Sequence, residues 1–153
     1  MSEACLKTIL IVEDEPTWQV VLSKLLEREK YQTVAAFDEN DVFVKLRHLK
    51  QHPILAIVDL KLTGSNQSEN LTGYAVLEHL RKLGIYAIVL TGFAPRNAQF
   101  FADRPEILDV VDKMRFTDPD FEAFFLKKLH DSVAYAEAAR YAEGKTEMQQ
   151  EVI

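Results

Sequence analysis

The chain has 153 residues, a length typical of one domain, and 48% of them are hydrophobic and 27% charged. Its formal net charge of −6 argues against a nucleic-acid partner, because proteins that grip phosphates usually present a basic face. A single cysteine, Cys5, excludes an internal disulfide framework and fits a reducing compartment. No apolar run approaches the roughly 20 residues that span a bilayer, so we expect a cytoplasmic protein without membrane contact.

The first half of the chain alternates between strand and helix patterns. Thr8–Val12 is apolar and predicts a buried strand that stops at Glu13 and Asp14. Pro16 favours the start of a helix, since its missing N–H costs nothing in the first turn, and helical spacing continues to about residue 29. A second strand, a second helix and a third strand are then predicted at residues 31–37, 40–49 and 54–58.

The second half of the chain continues this alternation after a polar stretch at residues 61–72. That stretch predicts a loop beside the end of the third strand, where loops often carry function. A third helix, a fourth strand, a weak helix and a fifth strand are predicted at residues 73–83, 86–90, 95–103 and 107–111. Pro119 is expected to open a long final helix that runs to Gly144. Four apolar residues of this helix are expected to pack on the sheet: Phe121, Phe124, Phe125 and Leu129.

Five strands with interleaved helices predict a central parallel sheet with right-handed crossovers. Ligands of such open α/β sheets bind where the carboxyl ends of the strands emerge. Glu13 and Asp14 follow the first strand and Asp59 follows the third, so these three carboxylates should converge. Crowded carboxylates repel one another unless a cation lies among them, and Mg²⁺ prefers oxygen ligands in octahedral coordination. The sequence therefore predicts a magnesium site at this edge.

Two further polar residues belong to the same edge. Thr91 ends the fourth strand, and Lys113 follows closely on the fifth. This ordered set of acid pair, single Asp, hydroxyl and lysine resembles the receiver domain of two-component response regulators, over roughly residues 7–130. The resemblance implies a flavodoxin-like, doubly wound α/β fold with five parallel strands in the order 2-1-3-4-5 and helices on both faces. It implies a receiver domain at residues 1–130, followed by an extended C-terminal helix and tail at 131–153.

The resemblance also implies roles for the acidic residues. Asp59 would be the phosphoacceptor, a carboxylate nucleophile that takes a phosphoryl group from a sensor histidine kinase or a histidine phosphotransfer protein. Glu13 and Asp14 would hold Mg²⁺ together with Asp59, with Asp14 the more direct ligand. The backbone carbonyl of Lys61 would provide another oxygen to the ion.

Lys113 and Thr91 would contact the phosphoryl group itself. The resemblance implies that Lys113 pairs with one phosphoryl oxygen and that Thr91 hydrogen-bonds another. The physical reason is independent of any family, because phosphoryl transfer mainly needs positioning and neutralisation of the charge on the equatorial oxygens. A metal ion on one side and an ammonium on the other supply that neutralisation.

Three features depart from the family pattern. Val110 stands three positions before Lys113, where an aromatic switch residue is usual, and Phe93 and Phe116 are the candidates to replace it. Met114 follows the lysine in place of a proline in a cis peptide. The loop at residues 61–72 holds an insertion, which is tolerated because closure entropy grows slowly with loop length.

Two aromatic side chains near the pocket have open interpretations. Phe93 would border the approach of water to Asp59, which predicts a longer-lived phosphoryl state. Trp18 begins the helix beside the acids, and simple packing is the favoured interpretation. A partner-docking anchor is the alternative, since Trp is enriched at binding hot spots.

We therefore predict a single-domain response regulator that signals through a downstream protein target. It would phosphorylate and dephosphorylate itself but would not be an enzyme with turnover on a free substrate. The helical segment beyond Val133 is interpreted as a solvated tail, as a homodimer or partner contact through Tyr135 and Tyr141, or as a stub of an output domain.

Three rival functions remain. A degenerate receiver, acting as a phosphorylation-independent interaction module, is favoured by Val110 and Met114. A Mg²⁺-dependent phosphohydrolase is disfavoured, because Lys61 stands where such enzymes usually place a second acid. A flavin-binding module is disfavoured because the acids would repel the phosphate of the cofactor.

Overall fold

The computed structural model describes residues 7–60, 72–92 and 104–151 of the chain. Within them lie five strands that pair in parallel and form one sheet in the order β2-β1-β3-β4-β5. The strand order that the resemblance implied is thus confirmed. The strands are β1 (Thr8–Val12), β2 (Gln32–Ala36), β3 (Leu55–Val58), β4 (Ala87–Thr91) and β5 (Ile107–Asp112).

Helices cover both faces of the sheet. Pro16 occupies the first turn of the first helix, as expected, and the side chain of Asp38 caps the second by accepting a hydrogen bond from the Asp41 N–H at 2.8 Å. The predicted helix at residues 95–103 lies outside the described residues. The helices are α1 (Pro16–Arg28), α2 (Glu39–His48), α3 (Thr72–Lys82), a 3₁₀ helix (Lys113–Thr117) and α4 (Phe121–Glu151).

The core has two layers because successive side chains of a strand point to opposite faces. In β1, Ile9 and Ile11 join the apolar cluster that packs α1 and α4, whereas Leu10 and Val12 join the cluster on the α2 and α3 side. These four side chains are at most 1% exposed. Burial on both faces explains why the strands of this parallel sheet read as continuous apolar runs.

The final helix differs from its prediction at both ends. It begins at Phe121 instead of Pro119, because the chain first turns out of the 3₁₀ helix and the Phe121 N–H donates to the carbonyl of Asp118 at 3.1 Å. It also continues past Gly144 to Glu151. A glycine inside a helix costs only about 1 kcal/mol relative to alanine, which the surrounding helical turns can offset.

The apolar face of α4 is narrower than predicted. Phe121, Phe125 and Leu129 are buried at successive i,i+4 positions, as expected, but Phe124 lies on the flank and is 45% exposed. The prediction for Phe124 was therefore wrong. Helical geometry explains the difference, since positions four apart share one face and a neighbouring position is rotated away from it.

Contacts continue along α4 well beyond residue 130. Val133 and Ala136 are each 3% exposed within the core cluster. Arg140 donates a hydrogen bond to the carbonyl of Pro53 at 2.8 Å, and Glu137 forms an ion pair with Lys7. The proposed division at residue 130 stays a prediction, although this part of the helix packs on the body of the sheet.

Among the helices in residues 7–60, 72–92 and 104–151, none combines the length and the hydropathy that a membrane span requires.

Candidate functional site

The carboxyl edge of the sheet brings Glu13 and Asp59 side by side. β1 and β3 are adjacent, and the pairing continues one residue past β3, where the Asp59 N–H donates to the carbonyl of Val12 at 3.0 Å. On the other side of β1, the Glu13 N–H donates to the carbonyl of Ala36 at 3.0 Å. Hydrogen bonds of the sheet therefore fix the backbone positions of Glu13 and Asp59.

Three carboxylates form one cluster at this edge. Glu13, Asp14 and Asp59 each offer an oxygen atom, and these atoms all lie within 4.8 Å of one another. Glu13 is 1% exposed and Asp59 7%, whereas Asp14 is half-buried. The cluster is therefore enclosed on the Glu13 side and opens to solvent beside Asp14.

Lys113 faces the cluster from the start of the 3₁₀ helix. Its Nζ donates to Oε2 of Glu13 at 2.6 Å and to Oδ2 of Asp59 at 3.1 Å. Its peptide bond to Met114 is trans, and the Asp112 side chain holds the turn by accepting from the Met114 N–H at 2.9 Å. The 3₁₀ turn thus brings the ammonium to the acids without the cis-proline that is usual in the family.

The electrostatics of the cluster follow from burial. Desolvation, reinforced by the charge of Asp59, raises the pKa of Glu13 to about 7, against the opposing hydrogen bond from Lys113. Burial likewise raises the pKa of Asp14, and the charge of Asp59 adds to the effect. Burial alone would lower the pKa of Lys113, but the hydrogen bond to Glu13 and the charges of both acids outweigh it and the pKa is raised.

This donor set fits a hard divalent cation. Three carboxylates face one ammonium, so the group of four side chains carries a net negative charge when all are ionised. The pKa of Glu13 is raised chiefly by burial, and the neighbouring charge of Asp59 raises it further, so a cation among the carboxylates would favour the ionised form. Oxygen ligands on an edge that is partly open to water suit Mg²⁺, which retains several water molecules when it binds to proteins.

Thr91 lies at the same edge, one strand beyond Asp59. It is the last residue of β4, it is fully buried, and it stands in register with Asp112 of β5. Val110, at the position of the usual aromatic switch, packs against the apolar cluster of the α2 and α3 side. Thr91 therefore lies at the edge where its hydroxyl could reach a phosphoryl group on Asp59. Its role as a hydrogen-bond donor to that group stays a prediction.

Other predictions for the site fall outside the described residues. They concern Lys61 as a carbonyl ligand, Phe93 as a border of the water path and as a replacement for the aromatic switch, and residues 61–71 of the loop predicted at 61–72. Cys5 also lies outside the described residues.

Gly73 closes the loop that leaves the site. A Cβ atom at this position would stand 2.4 Å from the backbone oxygen of Asp59 and 2.5 Å from Cα of Leu60. The Gly73 N–H donates to the carbonyl of Leu60 at 3.1 Å. Residues 61–72 therefore connect two points of the chain that touch, and the return is possible only without a side chain.

Sequence reasoning missed Gln19, and it named Trp18 for packing or partner docking without its contact with Lys113. Gln19 donates from its side chain to the carbonyl of Glu13 at 2.6 Å, which holds the turn between β1 and α1. Trp18 lies under the ammonium of Lys113, whose Nζ is 4.7 Å from the centre of its ring. Only the first of these contacts is local enough for the sequence to have suggested it.

A doubly wound parallel sheet with three carboxylates and a lysine at its carboxyl edge offers the charges that a metal ion and a phosphoryl group require. The family model for the response regulator receiver domain matches residues 9–121 of this chain. The chain therefore belongs to the response regulator receiver domain family, which confirms the resemblance. Members of this family are phosphoacceptors of two-component signalling that work with histidine kinases or phosphotransfer proteins and bind Mg²⁺ at an acidic pocket.

Individual relatives agree with this assignment. A 75-residue segment is 35% identical to the response regulator GtcR of Aneurinibacillus migulanus and covers 48% of this chain but 27% of that protein. A CheY-like receiver domain protein from Methanospirillum hungatei JF-1 superposes with a TM-score of 0.69 at 24% identity, over 88% of this chain and 98% of that one. The response regulator TrrA from Thermotoga maritima, solved in complex with Mg²⁺-BeF, has a TM-score of 0.58 at 23% identity, over 80% and 99%. At these identities the two structures establish the fold alone.

Proposed function

We propose that this protein accepts a phosphoryl group on Asp59 from a partner histidine kinase or phosphotransfer protein and signals through contacts with a downstream protein. One observation carries the proposal: the ammonium of Lys113 bridges Glu13 and Asp59 inside the acid cluster, at 2.6 and 3.1 Å. An acid, a cation and an acidic metal-binding pair at one sheet edge are the parts that phosphoryl transfer to a carboxylate needs.

The chemistry follows from the positions of these residues. An oxygen of the Asp59 carboxylate attacks phosphorus, so an O–P bond forms while the N–P bond to the partner's imidazole breaks and the imidazole keeps the electron pair. Lys113, already beside Asp59, neutralises a phosphoryl oxygen, and the hydroxyl of Thr91 donates to another. Loss of the phosphoryl group to water returns the Asp59 carboxylate.

Glu13, Asp14 and Asp59, with the carbonyl of Lys61, are the residues that would hold Mg²⁺. The ion would neutralise the remaining phosphoryl oxygens as a Lewis acid. The fit of the donor set supports this proposal, as does the Mg²⁺-BeF complex of TrrA, a protein of the same fold.

Incubation with acetyl phosphate and Mg²⁺, followed by intact-mass measurement, tests the proposal. We expect one added phosphoryl group on the wild type and none on Asp59→Asn, because the amide is not a nucleophile for phosphorus. Asp131→Asn, an exposed carboxylate of α4, is the matched control and should be modified like the wild type. A chelator should suppress modification of the wild type and of Asp131→Asn.

The same measurement decides between this function and the degenerate receiver. Val110 and Met114 favour that alternative, since two elements of the usual switch are absent. A wild-type protein that gains no phosphoryl group under these conditions, while it still binds Mg²⁺, would reject phosphoacceptance and support a constitutive interaction module.

We also propose that α4 can mediate a homodimer. Tyr141 is 74% exposed, and Tyr135 is 57% exposed with its ring packed edge-on against Tyr86 at 5.4 Å. Light scattering before and after phosphorylation measures the oligomeric state, and Tyr141→Ser is expected to shift any dimer toward monomer. A monomer under both conditions would contradict the proposal. The cytoplasmic location stays a prediction.

A further inference from the structure

The indole ring of Trp18 forms part of the wall around Lys113. Trp18 lies in the first turn of α1 and is half-buried against the core cluster of the α1 and α4 side. The Nζ of Lys113 stands 4.7 Å from the centre of its ring. An ammonium at this distance from an aromatic ring is attracted by the ring's quadrupole, and Trp gives the strongest such attraction.

Burial makes this contact significant. Lys113 is 8% exposed, so water competes weakly for its ammonium. The ammonium donates hydrogen bonds to Glu13 and Asp59, and it also lies over the indole ring of Trp18. Lysine has a flexible side chain, and its compact ammonium lacks the planar, directional geometry of a guanidinium group. The position of the ammonium therefore depends on the groups around it.

The indole ring is itself held in place. Its neighbour Phe116 packs against it in an edge-on arrangement, with centroids 5.4 Å apart and planes at 83°. Phe116 in turn packs against Phe121 at 5.0 Å and Phe125 at 5.1 Å, both of which are buried at the start of α4. Edge-on pairs at this spacing are favourable, so the ring is held from the side of α4.

We propose that Trp18 is a positioning residue that holds the Lys113 ammonium against Asp59 for phosphoryl transfer. This inference rests on the proposed function of Asp59. It also assigns a use to the aromatic cluster of Trp18 and Phe116, in a chain where Val110 replaces the usual aromatic residue. The cluster joins the lysine of the site to α1 and α4.

Phosphorylation rates test the proposal. The initial rate with acetyl phosphate and Mg²⁺ is expected to fall about tenfold in Trp18→Leu, which fills space without a π face. Trp18→Phe keeps a ring and should recover most of the rate. Tyr86→Leu is the control, since Tyr86 is another half-buried aromatic of the same core cluster that precedes β4 at the opposite edge. An equal loss of rate in Tyr86→Leu, or none in Trp18→Leu, would overturn the proposal.

Proton NMR gives a readout that does not depend on phosphorylation. In the wild type, the ε-methylene protons of Lys113 should show cross-relaxation to the indole protons and a ring-current shift. Trp18→Leu should abolish that shift and should leave the ε-methylene protons in an averaged environment, because the Lys113 ammonium no longer keeps one position against Asp59. Absence of the cross-relaxation in the wild type would refute the proposal even if no variant folds.

The two experiments separate this inference from the proposed function. A wild type that accepts no phosphoryl group rejects phosphoacceptance at Asp59, and the NMR contact then decides alone whether Trp18 positions Lys113. A wild type that is phosphorylated at a rate indifferent to Trp18 rejects only the positioning role.

Discussion

Gly73→Ala is expected to lower the free energy of unfolding by at least about 3 kcal/mol, because the added methyl group would overlap backbone atoms that cannot rotate away. The clash is with the carbonyl oxygen of Asp59 at 2.4 Å and with Cα of Leu60 at 2.5 Å. At a few degrees per kcal/mol for a domain of this length, the thermal midpoint should fall by roughly 10 °C. Thermal and urea denaturation with circular dichroism measure both quantities.

The sign of this effect makes the experiment decisive. Gly73 lies in the first turn of α3, where helix propensity alone would make alanine more stable than glycine by up to about 1 kcal/mol. Gly92→Ala is the matched control, since that glycine is exposed and a Cβ there meets no atom of the residues that the structure describes within 4 Å. Its unfolding free energy should change by no more than about 0.5 kcal/mol. A Gly73→Ala variant as stable as Gly92→Ala would contradict the close approach.

The acid cluster was predictable because strand ends are visible in a sequence. Apolar runs that stop at Glu13, Asp14 and Asp59 indicate buried strands, and parallel strands present their carboxyl ends at one edge. The pairing of β1 with β3 then brings the acids together, since the Asp59 N–H hydrogen-bonds to the backbone of Val12, the residue before Glu13. The strand order itself came from the resemblance, because periodicity says nothing about which strands are neighbours.

Other features depend on tertiary contacts that no local pattern contains. The exposure of Phe124 is decided by which face of α4 meets the sheet, and its neighbours in sequence do not specify that face. The contact of Trp18 with Lys113 joins residues almost a hundred positions apart. The raised pKa of Glu13 likewise requires its burial beside Asp59, which only the folded chain establishes.

Lys113→Met is expected to destabilise the protein in a chelator by about 3 kcal/mol, because it leaves two buried carboxylates without their shared cation. Glu13 and Asp59 are 1% and 7% exposed, and Nζ of Lys113 lies within 3.1 Å of both. Methionine keeps the length and apolar stem of lysine, so lost packing adds little. Denaturant unfolding with and without Mg²⁺ measures the loss and its recovery.

Mg²⁺ should recover more stability in this variant than in the wild type. The ammonium and the dication would share the same carboxylates and so repel each other, and two unit charges 4 Å apart interact by about 1 kcal/mol even in bulk water. The repulsion between the ammonium and a doubly charged ion is larger than this, because the charge is doubled and the cluster is partly buried. We therefore expect Lys113→Met to bind Mg²⁺ at least about tenfold more tightly, and bound ligand stabilises the folded state in proportion to RT ln(1 + [L]/Kd). Isothermal calorimetry measures the affinity.

Lys128→Met is the matched control for this prediction. This substitution also deprives a carboxylate of its ammonium partner, because Lys128 pairs with Asp109 at 2.9 Å. Both side chains of that pair are partly exposed, and neither belongs to the acid cluster. Its stability should change by no more than about 1 kcal/mol and its Mg²⁺ affinity should not change. If Lys113→Met bound Mg²⁺ no more tightly than Lys128→Met, the ammonium and the ion could not compete for the same carboxylates. The dication would then have to bind elsewhere on the protein, and the acid cluster would lose its proposed role as the magnesium site.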